Sequence, residues 1–264
     1  MSGVEPKGQG PSVQCAVQER VATVTISNPP RFNAMTRAMW RDLKAVFEGI
    51  QAEAGLRLVV LAGEGQHFCA GGDISEYPDF RFDPVRLREF HEDEVWGGLQ
   101  AMLACDVPIA ATIRGNCMGA GVEMASCCDV RLSERSARFG APIAKLGFPM
   151  APREAQLVAG ALGEATAREM LLTGAILDAP EMAGRGFLQH LVEPDRFGDA
   201  VEQLVKQVGA LSPQAARLNK QTLRALQAGR TMDDILRTAY DYAASAEHRE
   251  GISSFLEKRP AKFG

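Results

Sequence analysis

Two short, nearly continuous apolar runs decide what this chain can fold into. Residues 56–62 read LRLVVLA and residues 108–113 read PIAATI. Such continuous runs need cover on both sides, as strands of a parallel sheet have. Each run leads directly into a glycine-rich loop: GEGQHFCAGGD over 63–73, and IRGNCMGAGVEMASCCD over 113–129. The second loop passes into a stretch that reads as a helix, with Glu123 in its first turns. Glycine lets backbone come close to a ligand, and a helix start leaves N–H groups unpaired. Two such loops at the carboxyl ends of neighbouring strands offer two N–H groups to one oxygen that is gaining charge. The plainer reading is a turn entering a buried helix, and these residues alone leave both open. A dinucleotide site is disfavoured, because the order here is G-x-x-x-G-x-G rather than G-x-G-x-x-G.

The rest of the chain fits around these runs. Residues 13–27 read as two strands joined near Glu19 and Arg20, the second alternating β-branched with small or polar residues. Asn28-Pro29-Pro30 breaks the strand, and a helix follows over 36–54 with Met39, Leu43, Val46, Phe47 and Ile50 on one face. Residues 80–103 read as irregular, then helical; 130–132 as a short strand; 139–150 as loop; 152–173 and 179–186 as helices; 188–192 as a late strand. Strand alternating with helix up to about residue 195 implies an α/β core. From 196 the pattern is amphipathic helix over 197–211, 213–228 and 232–244. The expected division is a loose tail at 1–12, a core at 13–195 and a helical region at 196–264 whose apolar faces need a partner surface.

Composition narrows the function. A net charge of −4 argues against a broad nucleic-acid-binding face. The four histidines are scattered and make no metal pattern. No run of about 18 apolar residues offers a membrane span. The six cysteines read as reduced, mostly small core residues, in a cytoplasmic protein.

Taken in order, the motifs resemble the crotonase superfamily, the enoyl-CoA hydratase/isomerase family. Asn28-Pro-Pro-Arg-Phe-Asn33-Ala34 is similar to its early N-A segment, and Phe68-Cys-Ala-Gly-Gly-Asp73-Ile74 to its F-x-A-G-x-D-[IL] loop. Gly119-Ala-Gly-Val-Glu123 with Cys128-Asp129 is similar to G-G-G-x-E…CD, and Leu171-Leu-Thr-Gly174 to its LTG turn. Glu250-Gly251…Phe255-Leu256-Glu257-Lys258-Arg259 is similar to its terminal EG…F…KR pattern. Any one piece would be weak; the combination and its order are specific, and they cover nearly the whole chain.

The resemblance implies a spiral of ββα units with a C-terminal all-helical region, assembled as a homotrimer or a dimer of trimers. It implies an acyl-CoA thioester as substrate and no cofactor, coenzyme A being part of the substrate. It places an oxyanion hole on the backbone N–H groups of Ala70 and Ala120 and a catalytic carboxylate at Glu123. It places CoA contacts on Arg31, Phe32, Ala34, Ala70, Gly71, Gly72, Asp73 and Ile74. Asp73 also reads as a helix cap.

One departure matters. The family's second glutamate, in P-E-x-x-x-G, falls on Ile143 within Pro142-Ile-Ala-Lys-Leu-Gly147. Hydration needs both activation of water and a proton for the α-carbon, and isoleucine supplies neither. Lys145, Arg153 and Glu154 are the nearby candidates to replace it. A tyrosine has less support, since only three exist and two lie in the tail. The leading expectation is hydration of a 2-enoyl-CoA. Beside it stand isomerisation or other enolate chemistry and, from another class, an acyl-CoA-binding protein with little catalysis.

Overall fold

The computed structural model describes residues 10–263. The expected tail at 1–12 therefore lies, up to residue 9, outside the described residues. The first strands, β1 (Ser12–Gln18) and β2 (Val21–Ser27), form an antiparallel hairpin. Its two-residue turn, Glu19 and Arg20, has φ of 48° and 67°. That left-handed turn matches the twist of the strands it joins.

Helix α1 (Arg37–Ala52) starts at Thr36, whose side chain accepts from the Met39 N–H. Met39, Trp40, Leu43, Phe47 and Ile50 recur at helical spacing and are all buried. Strand β3 (Leu58–Gly63) follows, and its side chains divide as a two-sided strand requires. Val59 and Leu61 join the main core, while Leu58 and Val60 join a second cluster on the other face. Helix α2 (Pro84–Glu89) runs through a wide π turn at Phe90–Val95 into α3 (Trp96–Ala104).

Strand β4 (Ile109–Ile113) is buried throughout. Then come β5 (Asn116–Met118), α4 (Ala120–Ser126), β6 (Val130–Glu134) and β7 (Arg138–Gly140). Helices α5 (Pro152–Leu162) and α6 (Glu164–Thr173), strand β8 (Ile176–Asp178), helix α7 (Ala179–Gly184) and strand β9 (His190–Val192) complete the α/β part. One sheet has the order β1-β2-β3-β4-β6-β9 and is parallel from β2 onward; a smaller one has the order β5-β7-β8.

The second face of the main sheet is closed by α8 (Phe197–Gly209), whose Phe197 and Leu204 pack with Leu58, Val60, Ala110 and Leu132. Beyond it, α9 (Pro213–Gln227), α10 (Met232–Leu236) and α11 (Ala246–Leu256) attach largely through polar contacts. Lys220 meets Asp129 at 2.7 Å and Arg224 meets Asp106 at 2.6 Å. Asp129 also accepts from the Ile109 N–H at 2.7 Å, so the acid of the Cys-Asp pair ties α9 to the start of β4. The terminal Glu…Arg pattern has a similar explanation: Arg259 grips the Glu250 carboxylate at 2.6 and 2.9 Å. That pairing holds the Glu250 carboxyl down near about 2.

Three expectations need correction. The single helix over 152–173 is two, split at Gly163 with φ of 79°. The helix over 232–244 is the short α10 and a separate 3-10 turn, Asp241–Ala244. Strands β5, β7 and β8 fall in segments read as turn or loop; at three residues each they are too short for periodicity to register.

Candidate active site

The two glycine loops lie side by side, as their shared pattern suggested. The Phe68 N–H donates to Arg114 O, Cys69 N–H to Asn116 O and Met118 N–H to Cys69 O, all between 2.8 and 2.9 Å. A third loop is stitched to them by Asn33. Its side-chain amide donates to the carbonyls of Glu64 and His67 at 2.9 and 2.7 Å, and its oxygen accepts from the Asn28 N–H.

Beneath these loops is a cavity of about 460 Å³. Its walls include Gly71, Gly72, Gly119 and Ala120 from the loops, and Trp40, Phe90, Val95, Ile143 and Phe148 as apolar surface. Glu123, Glu154, His91, Tyr77, Arg81 and Lys145 bring chemistry to it. Ile143, the position to which the resemblance assigned the second glutamate, borders this space.

Glu123 is only 7% exposed. Burial, reinforced by the negative charge of Glu154, pushes its carboxyl well above the ordinary carboxylate range. Glu154, in the first turn of α5, is 3% exposed. Its Oε1 lies 2.7 Å from His91 Nδ1. His91 belongs to the π turn between α2 and α3, a local widening often found at functional sites. Of the three candidates to replace the second glutamate, Glu154 is the buried one beside Glu123. Arg153 instead pairs with Glu92 at 2.7 Å on the surface, and Lys145 borders the cavity from an exposed position.

The backbone donors need a correction. The Ala70 N–H already donates to Phe32 O at 3.0 Å, so it has no proton to offer a ligand. Gly72, two residues on, borders the cavity, and among the described residues no hydrogen bond engages its N–H. Ala120, at the first position of α4, is likewise unclaimed, because the first N–H groups of a helix lack intrahelical partners. Gly72 and Ala120 are thus two cavity residues whose N–H groups no hydrogen bond among the described residues claims.

The remaining expected residues are placed as follows. Arg31 reaches Asp73 at 3.4 Å, and Asp73 caps the 3-10 turn Ile74–Asp79 through the Ser75 N–H. Phe32 is exposed and edges onto the His67 ring at 4.8 Å, while Ala34 is buried. Arg31, Phe32 and Ala34 do not border the cavity, whereas Ala70, Gly71, Gly72 and Ile74 do. Tyr77 is the residue that sequence reasoning undervalued. It is the one tyrosine outside the tail, and the spacing of the DISEY segment carried no sign that its hydroxyl would lie against Gly72. Burial pushes that hydroxyl up to about 12, so it keeps its proton near neutral pH.

Among the described residues no group of three or more His, Cys, Asp or Glu could hold a metal ion. No described helix is long and apolar enough to cross a membrane.

An α/β core, a helical C-terminal region and a cavity with two buried carboxylates describe an enzyme equipped for proton transfer. Residues 16–264 match the enoyl-CoA hydratase/isomerase family, and the chain belongs to it. A probable enoyl-CoA hydratase of Rhizobium meliloti is 30% identical over 251 residues, covering 93% of this chain and 95% of its own. The crystal structure of an enoyl-CoA hydratase/carnithine racemase from Magnetospirillum magneticum superposes with a TM-score of 0.92 at 33% identity, covering 96% of this chain and 95% of that one. A putative enoyl-CoA hydratase/isomerase family protein from Hyphomonas neptunium gives 0.90 at 27% identity, over 96% and 97% of the two chains. The fold is the crotonase fold, and the protein is an enzyme of the enoyl-CoA hydratase/isomerase type with a hydratase-like function.

Proposed function

We propose that this enzyme adds water across the double bond of a 2-enoyl-CoA with Glu123 and Glu154 as a carboxylate pair. The observation that carries the reading is their burial in one cavity, beside two unclaimed backbone N–H groups. The thioester oxygen sits between the N–H groups of Gly72 and Ala120, and the loop residues 31–34 and 70–74 hold the CoA portion. Glu123, in the state in which Glu154 carries the proton that the pair shares, takes a proton from water as the water oxygen bonds to the β-carbon. The electrons of the double bond move toward the thioester carbonyl, and charge builds on the held oxygen. Glu154 then gives a proton to the α-carbon. His91, whose side chain is 16% exposed, links Glu154 to outside water and returns its proton, and Glu123 gives the proton it took to water that enters as the product leaves, which restores the pair. Glu154 thereby fills the role lost at Ile143. Of the residues assigned from the sequence, Ala70 becomes a wall residue and Gly72 takes its place as donor.

The reading extends to the setting. All six cysteines are free thiols, and five are buried, in keeping with a reducing cytoplasmic compartment. The core at 13–195 carries the chemistry, and 196–264 serves assembly as a trimer or a dimer of trimers. Coenzyme A enters with the substrate, and no other cofactor has a role.

The test is loss of the enoyl-thioester absorbance with crotonyl-CoA. Removing a general acid or base costs about 10²–10⁴ in rate, so Glu123→Gln and Glu154→Gln each lower kcat by at least 100-fold while crotonyl-CoA still binds. Wild-type turnover in Glu154→Gln would remove it from the mechanism. Binding without turnover in the wild type would sink simple hydration of this substrate.

A further inference from the structure

Arg81 follows the 3-10 turn that carries Tyr77, and it borders the same cavity. Its guanidinium carbon stands 3.5 Å from the centre of the Phe148 ring and 4.5 Å from that of Tyr77. Among the described residues the guanidinium makes no ion pair and no hydrogen bond, and its Nη1 is buried without a partner. Arg57 and Arg114 also hold a buried unpartnered nitrogen, but each is otherwise engaged. Arg57 donates to the carbonyls of Gly209 and Phe263, and Arg114 lies 3.8 Å from the Glu134 carboxylate. Arg81 alone of the three has nothing to receive its N–H groups.

That arrangement asks for an anion. The two rings offset part of the positive charge, but they cannot satisfy a planar fork of five N–H donors, which matches a carboxylate edge. Burial also lowers the affinity of Arg81 for its own proton, a cost that a bound anion relieves. Of the residues assigned to CoA, Arg31, Phe32, Ala34 and Asp73 lie off this cavity, and Ala70, Gly71, Gly72 and Ile74 border it from the glycine loop. Arg81 instead shares its wall with Tyr77, Phe148 and Glu154, so it faces the acyl part of a substrate rather than the CoA part.

We propose that Arg81 receives a free carboxylate at the far end of the acyl group, and that the preferred substrates are CoA thioesters of 2-enoyl chains ending in a carboxylate. This rests on the hydratase reading above and names its substrate class. The thioester lies at Gly72 and Ala120, the double bond beside Glu123 and Glu154, and the terminal carboxylate on the guanidinium. The rest of the acyl wall, from Phe90, Val95 and Ile143, is apolar and suits the methylene groups between.

The test uses matched pairs of 2-enoyl-CoA thioesters of equal chain length, one ending in methyl and one in carboxylate. A hydrogen-bonded charge pair shielded from water is worth roughly 10- to 100-fold. Wild-type kcat/KM therefore favours the carboxylate member of at least one pair by about tenfold or more. Arg81→Met lowers that ratio about 10- to 100-fold, and Arg81→Lys, which keeps charge without the fork, falls between. The ratio is the readout, so a general loss of activity does not imitate it. Calorimetric binding of the saturated counterparts keeps the two proposals separable. If neither member is hydrated but the carboxylate member binds more tightly and loses that edge in Arg81→Met, the hydratase reading fails and the carboxylate site stands. Equal binding of the two members by the wild type, or an equal loss on both in Arg81→Met, overturns the proposal. The second result would assign Arg81 to supporting the charge of Glu154.

Discussion

At the scale of single residues, the site is organised by the cost of burying carboxylates. Glu123 has its pKa raised, first by desolvation and then by Glu154, so it binds a proton over a pH range where the unfolded chain has released it. The native state then holds more protons than the unfolded state, and stability falls as pH climbs from the unfolded carboxyl value of about 4.3 through the folded one. Glu123→Gln removes that dependence. The variant is expected to gain on the wild type as pH rises, by about 1.4 kcal/mol for each unit of upward shift, with the gain vanishing once both states are protonated. Urea unfolding of both proteins across the acid-to-neutral range measures it. A gain that is flat, or that grows toward acid, would mean that Glu123 is stabilised as a carboxylate by partners other than those seen here. The same substitution abolishes the proposed base, so greater stability and lost turnover should arrive together.

At the scale of elements, the two strand–loop units were legible because both faces of β3 and β4 are buried, which leaves a continuous apolar run in the sequence. The carboxylate at Glu123 could be read for a similar reason, being fixed by spacing from its glycines. Glu154 could be reached only as one of three nearby candidates, and His91, Tyr77 and Arg81 not at all, since they come from a helix start, a π turn and a 3-10 turn, and only packing brings them together. Ala70 was misread because a loop with the right residues does not reveal which N–H its neighbour has taken; the Phe32 carbonyl decides that. The contact between the first glycine loop and the 3-10 turn behind it yields a test. A Cβ on Gly72 would collide with the Tyr77 hydroxyl and stand 3.3 Å from the ring carbon that bears it. Gly72→Ala is therefore expected to cost about 1–3 kcal/mol and to lower kcat/KM at least tenfold. Adding Tyr77→Phe removes the colliding oxygen and should restore much of the stability, read from paired thermal melts. No recovery in the double variant would place the strain elsewhere.

At the scale of the whole molecule, the C-terminal helices leave apolar side chains uncovered in one copy of the chain. Helix α8 seals the second face of the sheet, but α9 and α10 bury no residue, and Leu223, Phe255 and Leu256 are 67%, 83% and 74% exposed. Apolar side chains in this number along consecutive helices mark a surface that meets protein. The ion pairs at Lys220 and Arg224 fix α9 to the core, so this face is presented rigidly. A second copy of the chain as the occupant agrees with the assembly proposed for residues 196–264. Sedimentation of the wild type is expected to give a trimer or a dimer of trimers. Leu223→Asp with Phe255→Asp places two charges in the proposed contact and is expected to shift the protein toward monomer. A stable interface of about 1,600 Å² gains its strength from a few such apolar anchors, each costing roughly 2 kcal/mol or more when lost. Because the cavity is lined by residues of the core alone, dissociated protein should retain its carboxylate pair. Activity that falls with dissociation would then report loosening of α9 on Asp129 and Asp106, rather than the loss of a catalytic group. A wild type that sediments as a monomer would remove the assembly proposal and leave those apolar residues to another partner.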